Sequence, residues 1–398
     1  MTMTNESDHS KTRIDRDNRH EREVKAILRR NGKWDCLYPG CTKKSIFSHA
    51  ISESISLATI AEEGHLSTIE SRRKKDIKTL QFGRIGIHDA TAFNGFCEEH
   101  DALFSTLDNN EISDARGLLL QTYRTVISEC ADESRIAALS HSDFKATDVD
   151  SILAEIDTDE HPWLQSEDGR ALFIAEHAKI ADADLRRSTQ LMELPGQLLK
   201  KLALNEDLSL EGHSVFTTEQ LSHYIPFRRL GFRIPVAINC IIPCVANGAR
   251  HDFYFAVIPY QHATLVMGVV PKAMQQSLLD RLMENFSCDY AAIDLVESLM
   301  VSSNEWFMTP SVLAEMSSQK REVFLHDSTF ITEQHFYEEY DMTLFDSLRR
   351  ALAQQHPEQR EKLRLDKIDV IPHRESFEVR HNRMLAALSA QSVELRDI

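Results

Sequence analysis

The sequence predicts an α+β protein: a small N-terminal module, a helical middle, and a C-terminal part made of a small antiparallel sheet with helices. Three observations carry this. Two short-spaced pairs of thiolate and imidazole donors, Cys36/Cys41 and Cys97/His100, lie far apart in the chain. From Leu103 to about Leu139, and again over residues 170–204, apolar residues recur with a helical period. From Phe232 to Val270, runs of branched and aromatic residues are separated by turn signals.

A chain of 398 residues is long enough for two or three domains with a sizeable core. No apolar run reaches the length that crosses a bilayer. The first twenty residues are polar and lack the apolar stretch of a signal peptide, so the expected location is the cytoplasm. Seven cysteines, odd in number and irregularly spaced, read in a reducing compartment as metal ligands and buried thiols rather than a disulfide framework. The net charge of −17 is unevenly spread. Residues 1–106 hold 17 Lys+Arg against 16 Asp+Glu, so the balance there is +1 and the remainder carries −18. Contact with a polyanion is therefore permitted at the N-terminal end and disfavoured elsewhere.

In chain order, residues 1–33 form a charged start. The first dozen are expected to be disordered, and Arg13–Arg30 a solvated helix with a thin stripe of Val24, Ile27 and Leu28, ended by Asn31-Gly32. Its basic members Arg22, Lys25, Arg29 and Arg30 are either salt-bridged surface or phosphate contacts. Residues 34–106 hold the donor pairs. Pro39-Gly40 makes a knuckle turn between Cys36 and Cys41, and the following extended segment ends near His49. Ser54–Glu63 reads as a short helix closed by Gly64. Ser71–Lys75 reads as a basic loop inside an insertion, and Thr79–Ile87 as a strand or hairpin.

Residues 107–206 are helical, with an interruption at Pro195-Gly196 and a polar, acidic stretch at Asp143–Trp163. Counted from Asp148 as a calcium loop, that stretch puts Leu153 where glycine is needed and Asp159 where glutamate is needed, which excludes the motif. Residues 207–330 are α+β. Strands are expected at Val215-Phe216, Phe232–Val245, Phe253–Pro259 and Thr264–Val270, with Asn247-Gly248 as one of the turns. An amphipathic helix is expected at Lys272–Phe286, further helices near 292–300 and 310–317, and a strand at Glu322–Leu325. Residues 331–398 comprise a last helix, Ile331–Gln355, and a charged tail.

Four donors at tetrahedral corners make a structural zinc site. Cys36-x4-Cys41 lets the chain double back so that both thiolates meet one ion. Cys97-x2-His100 puts two more donors on one face of a first helical turn, where the helix N-terminus also favours the thiolate. His49 makes a fifth candidate for four places. The helix pair fits a tetrahedral site better, so Cys36, Cys41, Cys97 and His100 are assigned to zinc and His49 is left free. The alternative, His49 inside and His100 outside, stays open at this point.

Knuckle, strand ending in histidine, later asparagine and two-ligand helix start together resemble the zinc-stapled HNH nucleases, a treble-clef or ββα-metal module. The resemblance covers residues 34–106 only. It implies that His49 is the general base, that Asn94 orients it, and that Asp101 helps hold a catalytic magnesium or manganese ion. His100 stands where the family usually has cysteine, and Ser48 where it commonly has a metal-binding aspartate. Modules of this kind fused to unrelated domains resemble what bacterial defence proteins carry.

Two functions are therefore expected: a metal-dependent endonuclease on DNA or RNA, or a non-catalytic zinc module that binds nucleic acid or protein. In both, the acidic C-terminal half is a sensor, a partner-binding region or a self-association surface. His65 and His88 read as surface or packing residues, and Cys130, Cys240, Cys244 and Cys288 as core thiols. No phosphate-cradling glycine loop or serine elbow is present.

Overall fold

The computed structural model of the chain describes residues 22–23, 34–74, 77–146, 162–203, 214–246 and 249–394. The charged helix expected at Arg13–Arg30 (Arg22 and Glu23 apart), its Asn31-Gly32 end, most of the acidic stretch before Pro162 and the Asn247-Gly248 turn lie outside the described residues. The chain runs β1 (Phe47–His49), β2 (His65–Lys74), β3 (Ile77–Gly86), β4 (Ala92–Asn94) and α1 (Glu98–Asp101). Three longer helices follow: α2 (Ala115–Ala146), α3 (Glu167–Leu191) and α4 (Glu193–Ala203). Next come β5 (Val215–Phe216), β6 (His223–Leu230), β7 (Val236–Ala246), β8 (Ala249–Pro259) and β9 (Thr264–Pro271). The remainder is α5 (Gln276–Glu284), α6 (Asp289–Ser302), β10 (Trp306–Met308), α7 (Pro310–Glu315), α8 (Ser318–Thr329), α9 (Asp346–Gln355) and α10 (Phe377–Glu394). The class is α+β.

The chain divides into two compact units, each assembled from three separate segments. The first takes residues 1–48, 92–104 and 126–205. The second takes 49–91, 105–125 and 206–398.

In the first unit, β1 and β4 form a two-stranded sheet. Phe93 meets Phe96 edge-on at 6.0 Å, and Phe96 meets Phe104 at 5.1 Å. These rings form a small apolar floor beside the donor residues. Val126, Ile127, Cys130 and Ala131 of α2 are buried, as are Leu191 of α3 and Leu194 and Leu198 of α4. Cys130 Sγ donates to the Leu191 carbonyl at 3.1 Å, so this thiol ties two helices together. The expected break at Pro195-Gly196 is not where the helix stops. Pro195 sits in the first turn of α4, where an amide has no intrahelical acceptor to lose.

The second unit is built on an antiparallel sheet ordered β3-β2-β10-β7-β8-β9-β6-β5. Every residue of β9 is buried, as expected of a strand near the middle of a sheet with both faces covered. The core gathers Ile238, Phe253, Phe255 and Val266 from the strands with Leu282, Val296, Leu299 and Phe324 from the helices. Residues 65–86, which fall between the two donor pairs in sequence, supply β2 and β3. They join the sheet through Met308↔Ser67. The basic run Ser71–Lys75 expected as a loop begins as the last residues of β2.

Three expectations are corrected in this unit. His223–Leu230, passed over in the sequence, is strand β6. Glu322–Leu325, expected as a strand, lies inside α8, whose N-cap Ser317 accepts the Lys320 amide at 3.2 Å. The helix expected over Ile331–Gln355 is regular only from Asp346. Before it, Phe336, Tyr340 and Met342 are buried from irregular backbone. A buried ion network ties α6 to α9. Arg349 is fully buried, with Nη2 2.7 Å from Glu297 Oε2 and 2.6 Å from Asp294 Oδ1. Glu297 Oε1 accepts the amides of Leu344 and Phe345 at 2.7 and 3.0 Å.

Candidate metal centre

The knuckle is set by its backbone. The Cys41 amide bonds the Tyr38 carbonyl at 3.0 Å, closing a tight turn in which Gly40 takes φ +78°. A side chain at that φ would be strained, which is why glycine stands there. The Cys36 amide bonds the Lys43 carbonyl at 2.9 Å and closes the loop around both thiols. The Leu37 amide reaches the Gly95 carbonyl at 2.9 Å and the Ile46 amide the Phe96 carbonyl at 2.6 Å. These two bonds lay the knuckle beside the approach to α1. Cys97 is the N-cap of α1, and its carbonyl accepts the His100 amide at 3.0 Å, which places the two donors one turn apart.

The result is a compact group. The ligand atoms of Cys36, Cys41, Cys97 and His100 all lie within 4.8 Å of one another. Cys41 Sγ and Cys97 Sγ are 3.8 Å apart. His100 Nδ1 is 3.5 Å from Cys36 Sγ and 3.3 Å from Cys97 Sγ. Metal–sulfur bonds of about 2.3 Å and metal–nitrogen bonds of about 2.0 Å at tetrahedral angles require edges of roughly 3.8 Å and 3.5 Å. These three of the six edges lie within about 0.2 Å of those values and none of the six exceeds 4.8 Å, so the donors present fit one four-coordinate ion. Cys36 and Cys97 are buried, and Cys41 and His100 are partly so.

The thiols are electrostatically unequal. Burial pushes Cys36 up to about 11, against the amides of Cys97 and Tyr38, which donate toward its sulfur. At Cys97 burial acts in the same direction. The amides of His100 and Glu99 and the neighbouring thiols Cys41 and Cys36 outweigh it, so its pKa falls. Cys97 thus ionises more readily than Cys36. Around the rim, Lys43 pairs with Glu99 and Lys44 with Asp35 at 2.6 Å, both exposed and each a minor contribution.

Asn94 and Asp101 belong to the same unit. Asn94 ends β4 and is buried, and its carbonyl accepts from Arg135 Nη2 at 2.5 Å. That guanidinium also lies over the Trp34 ring at 4.9 Å. Asp101 ends α1. Its Oδ1 is buried with no hydrogen-bond partner among the described residues, and the same holds for the buried Ser48 Oγ. An orphaned carboxylate oxygen is costly unless a cation or water meets it.

His49 ends β1 and is the first residue of the second unit. Its Nε2 stands 3.5 Å from Glu53 Oε2, and His88 Nδ1 reaches the same oxygen at 2.8 Å. Burial lowers the His49 pKa, Arg124 adds to this, and Glu53 opposes it. The imidazole is therefore neutral at pH 7 and able to take a proton. Glu53 was missed in the sequence. Its signal was the four-residue spacing from His49 across a helix start. No helix among the described residues is long and apolar enough to cross a membrane. Compared with protein-family models, curated proteins and solved structures, the chain matches none, which leaves the chemistry of these donors as the ground for a functional reading.

Proposed function

We propose that the Cys3His group is a structural zinc site and that residues 34–106 form an HNH-like module hydrolysing phosphodiester bonds in DNA or RNA. One observation carries this reading: three thiol donors and one imidazole, from a knuckle and a helix start, gather within 4.8 Å of one another, with three of their six edges near tetrahedral length. Such a thiolate-rich, closed set suits zinc and leaves no open coordination position for chemistry. The zinc holds the frame.

The chemical roles fall to other residues. His49, kept neutral by burial, takes a proton from water. The hydroxide so formed attacks phosphorus in line, and the P–O bond opposite it breaks. Glu53 steadies the imidazole, and Asn94 braces the strand end that faces β1. Asp101 would be the carboxylate that holds a magnesium or manganese ion. When bound, that ion supplies positive charge to the scissile phosphate and the leaving oxygen. The acidic C-terminal half is assigned to partner binding or self-association.

A second reading is favoured by one residue. Ser48 leaves the module a carboxylate short of the family pattern, as a zinc-framed binding module without catalysis would be. The test uses plasmid and RNA substrates with magnesium, manganese or chelator, beside elemental analysis. One zinc per chain, with cleavage lost in His49→Ala at unchanged thermal stability, is the expected result. Zinc-replete protein that binds but never cuts selects the second reading. Protein without zinc after growth in zinc-rich medium overturns both.

A further inference from the structure

We infer that His88 is the proton donor to the leaving oxygen in the hydrolysis proposed above, acting beside His49 on a shared carboxylate, Glu53. The inference rests on that reading and adds a second catalytic histidine to it. All three residues belong to the second unit. Glu53 opens the short helical segment Glu53–Leu57, and its Oε2 meets both rings: His88 Nδ1 at 2.8 Å and His49 Nε2 at 3.5 Å. The carbonyls of Ile87 and His88 also accept from the His49 ring, which ties that ring to the turn carrying His88. The His49 side chain is 18% exposed and that of His88 is 68% exposed, so His88 is the outer member of the group.

The turn of residues 87–91, which follows β3, holds His88 in place. At its start the Ile87 amide bonds the Gly64 carbonyl at 3.0 Å, and the Asp89 amide returns to the Gly86 carbonyl at 3.0 Å. At its end the Ala50 amide bonds the Thr91 carbonyl at 2.8 Å, and Thr91 Oγ1 donates to the Ile51 carbonyl at 3.3 Å. Thr91 takes φ +57°, a left-handed conformation that a β-branched residue keeps only under constraint. The bland explanation is a surface histidine beside a glutamate, a pair of little consequence. Such a pair calls for neither a strained threonine pinned next to His49 nor one oxygen shared by two rings. A carboxylate only accepts hydrogen bonds, so His88 Nδ1 carries the proton between them and the ring's other nitrogen, Nε2, is turned away from Glu53. In the doubly protonated ring, Nε2 holds the proton that can be given up. Once His49 has taken a proton from water, the hydroxide bonds to phosphorus and the opposite P–O bond breaks. The leaving oxygen keeps the bonding pair and takes the Nε2 proton of His88. His88 is left neutral and still bonded to Glu53. His49 then releases its proton to solvent, and His88 regains one from it.

The test compares single-turnover cleavage of two linkages in oligonucleotides of whichever nucleic acid the full-length protein cuts. One linkage is ordinary, and in the other sulfur replaces the bridging oxygen that leaves. A thiolate departs without a proton, so only the ordinary linkage needs the acid. His88→Ala should slow the ordinary linkage by about 100-fold, the lower end of what a positioned acid supplies, and the sulfur linkage by less than about threefold. His49→Ala should lose both, because attack by water still needs the base. Equal losses of His88→Ala on the two linkages, or no loss on either, would overturn the inference. So would recovery of the ordinary linkage in raised manganese, which would make His88 a metal ligand instead. Thermal unfolding of each variant guards against misfolding. Protein that cuts neither linkage sinks the nuclease reading and this inference with it; protein that cuts both and is indifferent to His88 keeps the reading and loses the inference alone.

Discussion

The Tyr38 ring lies flat on the His100 imidazole, with centroids 3.8 Å apart and planes 7° from parallel. The stack joins the knuckle to α1 beside the four donors and fixes the orientation of the one nitrogen ligand. Supporting groups of this kind typically change metal affinity by about 10- to 100-fold. Tyr38→Ala should weaken zinc binding by about tenfold in competition with a chromophoric chelator. Tyr38→Phe, which keeps the ring, should bind within about twofold of wild type.

Gly95 is a steric requirement of the same frame. A Cβ there would lie 2.1 Å from the Phe93 ring, which is buried and cannot swing away. The Gly95 carbonyl also holds the Leu37 amide. Gly95→Ala should cost about 1–3 kcal/mol in denaturant unfolding, the usual range for overpacking. Its zinc affinity should fall with stability, whereas Gly86→Ala, which meets open space, should leave zinc affinity unchanged.

In the second unit, removing Glu297 would leave the buried Arg349 with Asp294 as its remaining carboxylate partner. Glu297→Ala should destabilise by about 3 kcal/mol, the low end of the cost of breaking a buried ion pair by removing one partner. It also frees the amides of Leu344 and Phe345 at the head of α9. A double change, Glu297→Leu with Arg349→Met, should cost less than Glu297→Ala alone. Additive or larger loss in the double variant would contradict the network as described.

Acid stability should depend on His223. Burial first, with Lys272 helping and Asp252 opposing, lowers its pKa to about 4 in the folded protein. The unfolded chain takes the proton near 6.5. As pH falls below 6.5 the unfolded state gains a proton that the folded state refuses, so stability drops until about pH 4 and no further. The loss is at most about 3 kcal/mol. His223→Gln should flatten this part of the stability–pH curve in chemical denaturation, leaving the region above pH 7 unchanged.

What the sequence made legible was local. Cys36-Leu-Tyr-Pro-Gly-Cys41 and Cys97-Glu-Glu-His100 each declare a short-range geometry, and their four donors form one compact group. The strands between Val236 and Pro271 were readable because their inner stretches, and all of β9, are buried on both faces, so apolar residues run continuously there. Sheet membership of β2 and β3 was not readable, because Ser67 meets Met308 only through distant pairing that leaves no mark on either segment. Val323-Phe324-Leu325 misled for the opposite reason: its branched run is strand-like, but Phe324 packs from a helix against Trp306 and Phe82. Asp101 and Glu53 differ likewise. Asp101 was named from a resemblance, whereas the four-residue spacing of Glu53 from His49 gains meaning only once the strand end and helix start bring the two side chains together.

The pairing of Ser67 with Met308 also sets a clock on synthesis. Met308 follows Ser67 by 241 residues. At about 5–20 residues per second, the ribosome makes the second partner roughly 12 to 50 s after the first. For that interval the apolar side of the hairpin, with Ile69, Leu80 and Phe82, has no native surface to cover it. A nascent chain stalled before Trp306 is thus a natural client for a holding chaperone, and a premature stop anywhere upstream leaves a sticky fragment rather than a folded half.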